Sequence, residues 1–208
     1  KVGGSIRPEW IFNNGPEPGY DTNGHDGGTR FRFSGDYALT QDTSIIGYYE
    51  WGVDLAHALS WDGHYNEDGK RDYQRQLYAC FKDDRYGTLT YGHQYGIYYS
   101  VVGIKSAVWD NDGHAGGNGI GISGDYDGGN KPKNSIKYTN DFGPVTLYAN
   151  YLLPEDDLHT ADNLIYRRKG GGGLGFDYKV TKDFTFSAAY SYTDAKIKDN
   201  LYNEKDYH

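Results

Sequence analysis

A single cysteine, Cys80, excludes any intrachain disulfide. No run of about 18 apolar residues occurs, so no helix can cross a bilayer, although a strand still can, since only every second side chain need meet lipid. Basic residues form no patch with interleaved aromatics, and the net charge of −8 argues against nucleic acid as a partner. Helix signals are scarce. No charged-then-apolar leader is visible, which fits a mature exported chain and a cytosolic one alike. His25, His57, His64, His93, His114, His159 and His208 show no metal-ligand spacing. The stretch from Asp110 to Gly113 opens like a calcium loop but lacks the glycine at position six and the glutamate at position twelve. Gly170 to Gly173 have neither the Lys-Ser/Thr pair nor the following helix of a phosphate cradle, so close backbone packing is the expected role. No Ser/His/Asp arrangement emerges. Neither a cofactor nor a metal nor a catalytic residue is expected, and the chain does not read as an enzyme.

What remains is a very polar chain of 208 residues with a mean hydropathy of −0.82. Its 37% hydrophobic content is low for one compact core of this size. Aromatics at 16%, with 22 tyrosines, nevertheless argue against disorder. The stretch FTFSAAYSYT, Phe184 to Thr193, shows how the two facts fit together. Phe184, Phe186, Ala188, Tyr190 and Tyr192 fall on one side of an extended strand; Thr185, Ser187, Ala189, Ser191 and Thr193 fall on the other.

Nine strands follow from this alternation: Val2–Phe12, Thr29–Gly35, Ser44–Val53, Tyr73–Lys82, Tyr86–Tyr95, Lys133–Thr139, Val145–Leu152, Leu164–Val180 and Phe184–Thr193. Long connections (Asn13–Gly28, Asp54–Asp72, Gly96–Pro132, Leu153–Asn163) alternate with short ones around Thr40–Asp42, Asp83–Arg85, Asn140–Gly143 and Thr181–Asp183. Charges lie opposite the apolar residues throughout. Arg30 and Arg32 oppose Phe31 and Phe33; Glu50 opposes Tyr49 and Trp51; Asp177 and Lys179 oppose Phe176 and Tyr178. A soluble barrel would turn the charges outward to water. A transmembrane antiparallel β-barrel would turn them inward, because an arginine or lysine at mid-bilayer costs about 2–4 kcal/mol. The alternating loop lengths and the aromatics near strand ends favour the membrane arrangement.

Several segments also carry a resemblance. RQLYACFKDDRYGTLTYGHQYGIYY (Arg75–Tyr99) resembles the stretch RLAFAGLK…GSFDYGRNYG of general porins of Gram-negative outer membranes, with Tyr91 to Gly96 as its most specific element. RFRFSG followed by QDTSIIGYYEW (Arg30–Trp51) is similar to the family's RLGFKGE…LTGYGQWE, and NSIKYTNDFGPVTLYANYL resembles its NSV-Y-DF-G strands. Arg167, Arg168 and the following glycines resemble an RR–GxGxGG segment. The matches come in the family's order over most of Val2 to Thr193. The resemblance implies a barrel of sixteen strands, commonly a homotrimer, with a long loop folded into the lumen. About nine to ten strands here imply the N-terminal portion of a single barrel domain, residues 1–208, incomplete at its C-terminus. A smaller natural barrel of about ten strands is the alternative.

The functional expectation centres on Gly96 to Pro132, residues 96–132, the longest loop, in the position of the family's constriction loop. Folded inward, Asp110 and Asp112 would face a basic wall of Arg30, Arg32, Arg75, Lys131, Lys133, Arg167 and Arg168, with Glu50 as a carboxylate on the wall itself. By resemblance, Arg30, Arg75 and Lys131 match the family's basic cluster. Charges opposed across a gap near the Debye length of about 8–10 Å are poorly screened and set up a transverse field. Polar solutes align with it, and apolar ones gain nothing for the water they displace. The expected function is passive diffusion of ions and small hydrophilic solutes through the outer membrane, with lipid and lipopolysaccharide around the barrel. Trp109, Tyr95 and Tyr99 raise the alternative of an oligosaccharide-selective, chitoporin-like channel; an outer-membrane barrel enzyme and a soluble β-barrel binder are the rivals of other classes.

Overall fold

A computed structural model describes residues 1–9, 25–53, 72–105, 129–159, 164–199 and 204–207. In chain order the elements are β1 (Val2–Ser5), β2 (Pro8–Glu9), β3 (His25–Asp26), β4 (Arg30–Ala38), β5 (Thr43–Val53), β6 (Asp72–Asp83) and β7 (Gly87–His93). A five-residue helix, α1 (Ile97–Val101), and a 3-10 turn (Gly103–Lys105) follow, then β8 (Ser135–Phe142), β9 (Val145–Leu152) and β10 (Glu155–His159). The last strands are β11 (Leu164–Lys179), β12 (Thr185–Asp199) and β13 (Glu204–Tyr207). An 11-stranded sheet takes the order β1-β4-β5-β6-β7-β8-β9-β11-β12-β13, with β10 beside β11, and every register that is fixed is antiparallel. This is the all-β fold that the alternation predicts.

The chain divides into two compact units, one of Lys1–Gly35 and Tyr48–Leu77, the other of Asp36–Gly47 and Tyr78–His208. In the first, β1 pairs with β4 from Val2↔Phe33 to Ser5↔Arg30. The expected long first strand breaks after Ser5 and resumes at Pro8, where β2 pairs with β3. The partner strand carries one extra residue at this point, with Gly27 to Thr29 against Ile6 and Arg7. Asp26 Oδ1 accepts hydrogen bonds from the backbone N–H of Gly28 and Thr29, at 2.7 and 2.5 Å, and Thr29 Oγ1 accepts from Arg7 N–H at 3.0 Å.

The second unit holds the short turns, closed by their own side chains. Thr40 Oγ1 accepts from the N–H groups of Asp42 and Thr43 at 3.2 and 3.0 Å; Thr181 Oγ1 accepts from Asp183 and Phe184 at the same two distances. Asp83 Oδ1 does likewise for Arg85 and Tyr86 at 2.9 and 3.0 Å. These hydroxyl and carboxylate oxygens satisfy turn donors that the ladder leaves over. The fourth turn is Gly143-Pro144 between the paired Phe142 and Val145, with Gly143 at φ 63°, as a hairpin with glycine first and proline second requires. One connection expected as loop, Leu153–Asn163, carries β10 instead. Its sequence, EDDLH, lacks the apolar alternation by which strands are recognised.

Burial is inverted relative to a water-soluble fold. Among the described residues six apolar side chains are buried, against nine polar or charged ones, including Glu50, Lys131 and Arg168. Large apolar side chains stand outside: Leu174 is 66% exposed, Tyr190 69% and Phe186 51%. They pair across strands, with Phe31 6.3 Å from Trp51, Phe33 6.3 Å from Tyr49 and Phe176 5.9 Å from Phe186 between ring centroids. An apolar face of this extent is tolerable only against hydrocarbon.

Two substitutions test this architecture. Leu174→Arg, on the outward face, should lower stability in lipid vesicles by about 2–4 kcal/mol in a urea titration. Gly87 sits at φ +83°, and a Cβ there would lie 2.4 Å from the Thr139 carbonyl oxygen, so Gly87→Ala should cost at least about 1–3 kcal/mol in the same titration.

Candidate pore-lining site

The first unit gathers charges on the face opposite Phe31 and Phe33. Strand β4 supplies Arg32, β5 supplies Tyr48 and Glu50, and β6 supplies Arg75. The Arg32 Nε–H donates to Glu50 Oε2 at 2.6 Å and the Arg75 Nε–H to Oε1 at 2.8 Å. The Tyr48 hydroxyl donates to Oε2 at 3.1 Å. Glu50 is only 2% exposed, so its carboxylate is held by three donors rather than by water. Arg30, two residues from Arg32 and on the same face, donates from Nε to the Gly28 carbonyl at 3.1 Å. Of the residues expected on that wall, Arg32, Glu50 and Arg75 are brought into contact, and Arg30 shares the β4 face with Arg32. Two guanidiniums thus converge on one carboxylate.

The second unit contains the start of the long connection. Gln94 N–H donates to the Pro132 carbonyl at 3.4 Å and Gly96 N–H to the Asn130 carbonyl at 2.7 Å, so the two ends of the 96–132 segment are zipped together. From that neck α1 turns back over the sheet. Ile97 and Val101 are fully buried against β11 at Gly173 and Gly175. A Cβ at Gly175 would lie 2.9 Å from a methyl of each, so only glycine leaves room for the helix. These glycines oppose the exposed Leu174, which puts α1 on the sheet's inward side. Lys137 of β8 donates from Nζ to the Tyr95 carbonyl at 2.8 Å. At the other end of α1, Lys105 forms an ion pair with Asp177 and donates to Ser187 Oγ at 2.8 Å. Asp177 also accepts from Ser187 at 2.7 Å and from the Tyr148 hydroxyl at 3.1 Å.

The other expected residues take varied places. Lys131 is buried at the neck, whereas Lys133 is exposed. Arg168 is wholly buried, and its guanidinium donates to the carbonyls of Leu153 and Lys133 at 2.9 and 2.6 Å. Arg167 is exposed and pairs with Asp156 at 3.0 Å. Tyr95 and Tyr99 stack on each other with centroids 4.2 Å apart, which occupies one face of each ring. Trp109, Asp110 and Asp112 lie outside the described residues. Sequence reasoning missed Tyr48, Lys105, Lys137, Tyr148 and Ser187 as parts of these clusters. Alternation marks Asp177 as opposite the apolar face, but its partner Lys105 sits in a connection where no period operates.

Antiparallel strands with large apolar side chains exposed on one face and polar and charged groups on the other are the pattern of a membrane-barrel wall. The Gram-negative porin family matches residues 1–208, and the chain belongs to that family. Its place is therefore the outer membrane, as a β-barrel protein. Outer membrane protein F of Serratia marcescens is 26% identical over 192 residues, covering 88% of this chain and 48% of that protein. The chain thus spans about half the length of that relative. Among solved structures, the Salmonella typhi OmpF complex with daunomycin shares the fold at a TM-score of 0.61 and 19% identity, over 96% of this chain and 53% of that one. A loop-deletion mutant of OmpT, an outer membrane protein of Vibrio cholerae, gives a TM-score of 0.55 at 15% identity, over 95% and 70%.

The cluster around Glu50 yields an ordered expectation. The Arg75 side chain is 12% exposed and that of Arg32 41%, so water screens the Arg32 bond more strongly. Urea titration in vesicles should show Arg75→Ala costing about 3 kcal/mol and Arg32→Ala about 1 kcal/mol or less.

Proposed function

We propose that this chain forms wall and constriction of a passive, water-filled channel that carries ions and small hydrophilic solutes across the outer membrane. The observation that carries the reading is the Arg32–Glu50–Arg75 cluster on the charged side of a sheet whose other side is apolar. Family membership supports a channel rather than an enzyme, so the residues here steer solutes and make or break no bond. Arg30, Arg32 and Arg75 give the wall its positive character, with Lys131 and Lys133 at the neck and Arg167 and Arg168 on β11 as further basic positions. Asp110 and Asp112 supply the opposing negative charge from the 96–132 segment. The field between them holds the dipole of a polar solute and replaces part of its hydration. Lipopolysaccharide and a homotrimeric assembly are the proposed surroundings.

Glu50 offsets part of the charge that Arg32 and Arg75 bring to the wall. Removing that carboxylate should make the channel prefer anions more strongly. The complete polypeptide, reconstituted in a planar bilayer, should give stepwise ohmic currents. In a salt gradient, Glu50→Gln should shift the zero-current potential toward the anion value relative to the unaltered protein. Absence of current steps, or no shift with Glu50→Gln, would sink the reading. Interruption of the current by added oligosaccharides would move it to the sugar-selective kind, with Trp109, Tyr95 and Tyr99 as the residues to substitute next.

A further inference from the structure

The registers of the second unit set its outward side chains in rows, so the depth of the apolar band can be counted in residues. On the side of the long connections, Tyr91, Ile136, Tyr151, Gly172 and Tyr192 stand abreast across β7, β8, β9, β11 and β12. On the side of the short turns, Phe142, Val145, Tyr178 and Phe186 form the matching row. Aromatic rows mark the levels where hydrocarbon gives way to headgroups. Polar groups press on the band from both ends. One row beyond Tyr192, Asp194 lies opposite Gly170 and pairs with Lys169 at 3.6 Å. In the next row Arg167, bonded to Asp156, lies opposite Lys196. At the other end Asn140 stands one row inside Phe142, and its Oδ1 accepts from the Asp141 N–H at 2.9 Å. From Val145 to Tyr151 and from Phe186 to Tyr192 is six residues. At about 3.4 Å per residue and a strand tilt of about 40°, that length crosses about 15 Å. Val180 and Phe184, at the last turn, add one row on β11 and β12 and bring the depth there to about 21 Å. The usual apolar band of an outer-membrane barrel is about 25 Å tall.

We propose that the outward face of β7, β8, β9, β11 and β12 is an interaction surface for a locally thinned bilayer, with the Lys169–Asp194 pair fixing its edge on the side of the long connections. A deeper hydrocarbon core would have to bury that pair and the charges of the row behind it, or else compress its chains until they stand clear. Compressing lipid by a few Å costs less than submerging charges, so the lipid yields. The occupant is lipid rather than a second copy of the chain. Two level aromatic rows, closed off by charge along one line, match the flat boundary that a bilayer imposes. A protein partner calls for hollows and projections instead. The inference requires only that these strands span the outer membrane, and it stands apart from whether the chain conducts.

Urea titration of the folded protein in vesicles of dimyristoleoyl, dipalmitoleoyl, dioleoyl or dieicosenoyl phosphatidylcholine compares lipids that differ in chain length alone. The unaltered protein should need most urea in the dimyristoleoyl vesicles and progressively less as the chains lengthen. Lys169→Leu plus Asp194→Leu adds one apolar row, so the optimum of that variant should move to a longer chain. Lys169→Arg plus Asp194→Glu keeps the charged edge and should keep the original optimum. A maximum in dioleoyl or longer lipid overturns the proposal. Equal midpoints in all four lipids overturn it too, and are the result expected if another copy covers the face. An optimum that stays in place in the double leucine variant overturns the role given to the ion pair. Deuterium NMR of chain-deuterated dioleoyl phosphatidylcholine decides the matter without any variant. At a high ratio of unaltered protein to lipid the chains should be less ordered than in pure lipid, and unchanged or raised order overturns the proposal.

Discussion

A peptide group inside hydrocarbon has no water to bond with, and each one left unpaired costs several kcal/mol. Every other feature of this chain follows from that penalty. The strands must pair along their length, which is why β11 and β12 run in register from Leu164↔Asp199 to Lys179↔Thr185 with one irregularity. The turns must close on their own donors, which is the work of Thr40, Asp83 and Thr181. Once the backbone is satisfied, side chains need only match their two solvents. Hydrocarbon receives Leu174, Phe186 and Tyr190, and the polar groups face the other way.

That second face has a problem of its own, since charges brought close on a narrow wall repel or desolvate one another. The two clusters solve it differently. Glu50 sits between two arginines and a tyrosine hydroxyl, so charge of both signs is shared along neighbouring strands. Asp177 spends its capacity on a segment from elsewhere in the chain. The first arrangement joins neighbouring strands; the second joins the sheet to the residues that follow α1.

Much of this was legible in the sequence because a period of two is a strong signal when one face is aromatic. Phe31 and Phe33 fixed the direction of Arg32, and the short turns announced themselves by Thr, Asp and Gly. The failures have physical causes. A bulge between Arg168 and Gly170 shifts the alternation by one, so Arg168 and Gly171 need not follow the phase that counting from either end assigns. The resemblance names Arg167 and Arg168 together, although one is exposed and the other is sealed against two carbonyls. Strand β10 has no apolar face to count. The contact of Lys105 with Asp177 spans 72 residues, and nothing local encodes it.

Gly175 concentrates a good deal of leverage in one hydrogen atom. Any heavier substituent there meets two methyl groups, and the helix above must rise to admit it. The seating of α1 on the sheet is thus set in increments of a single carbon, from the strand side, with the sequence of the helix untouched.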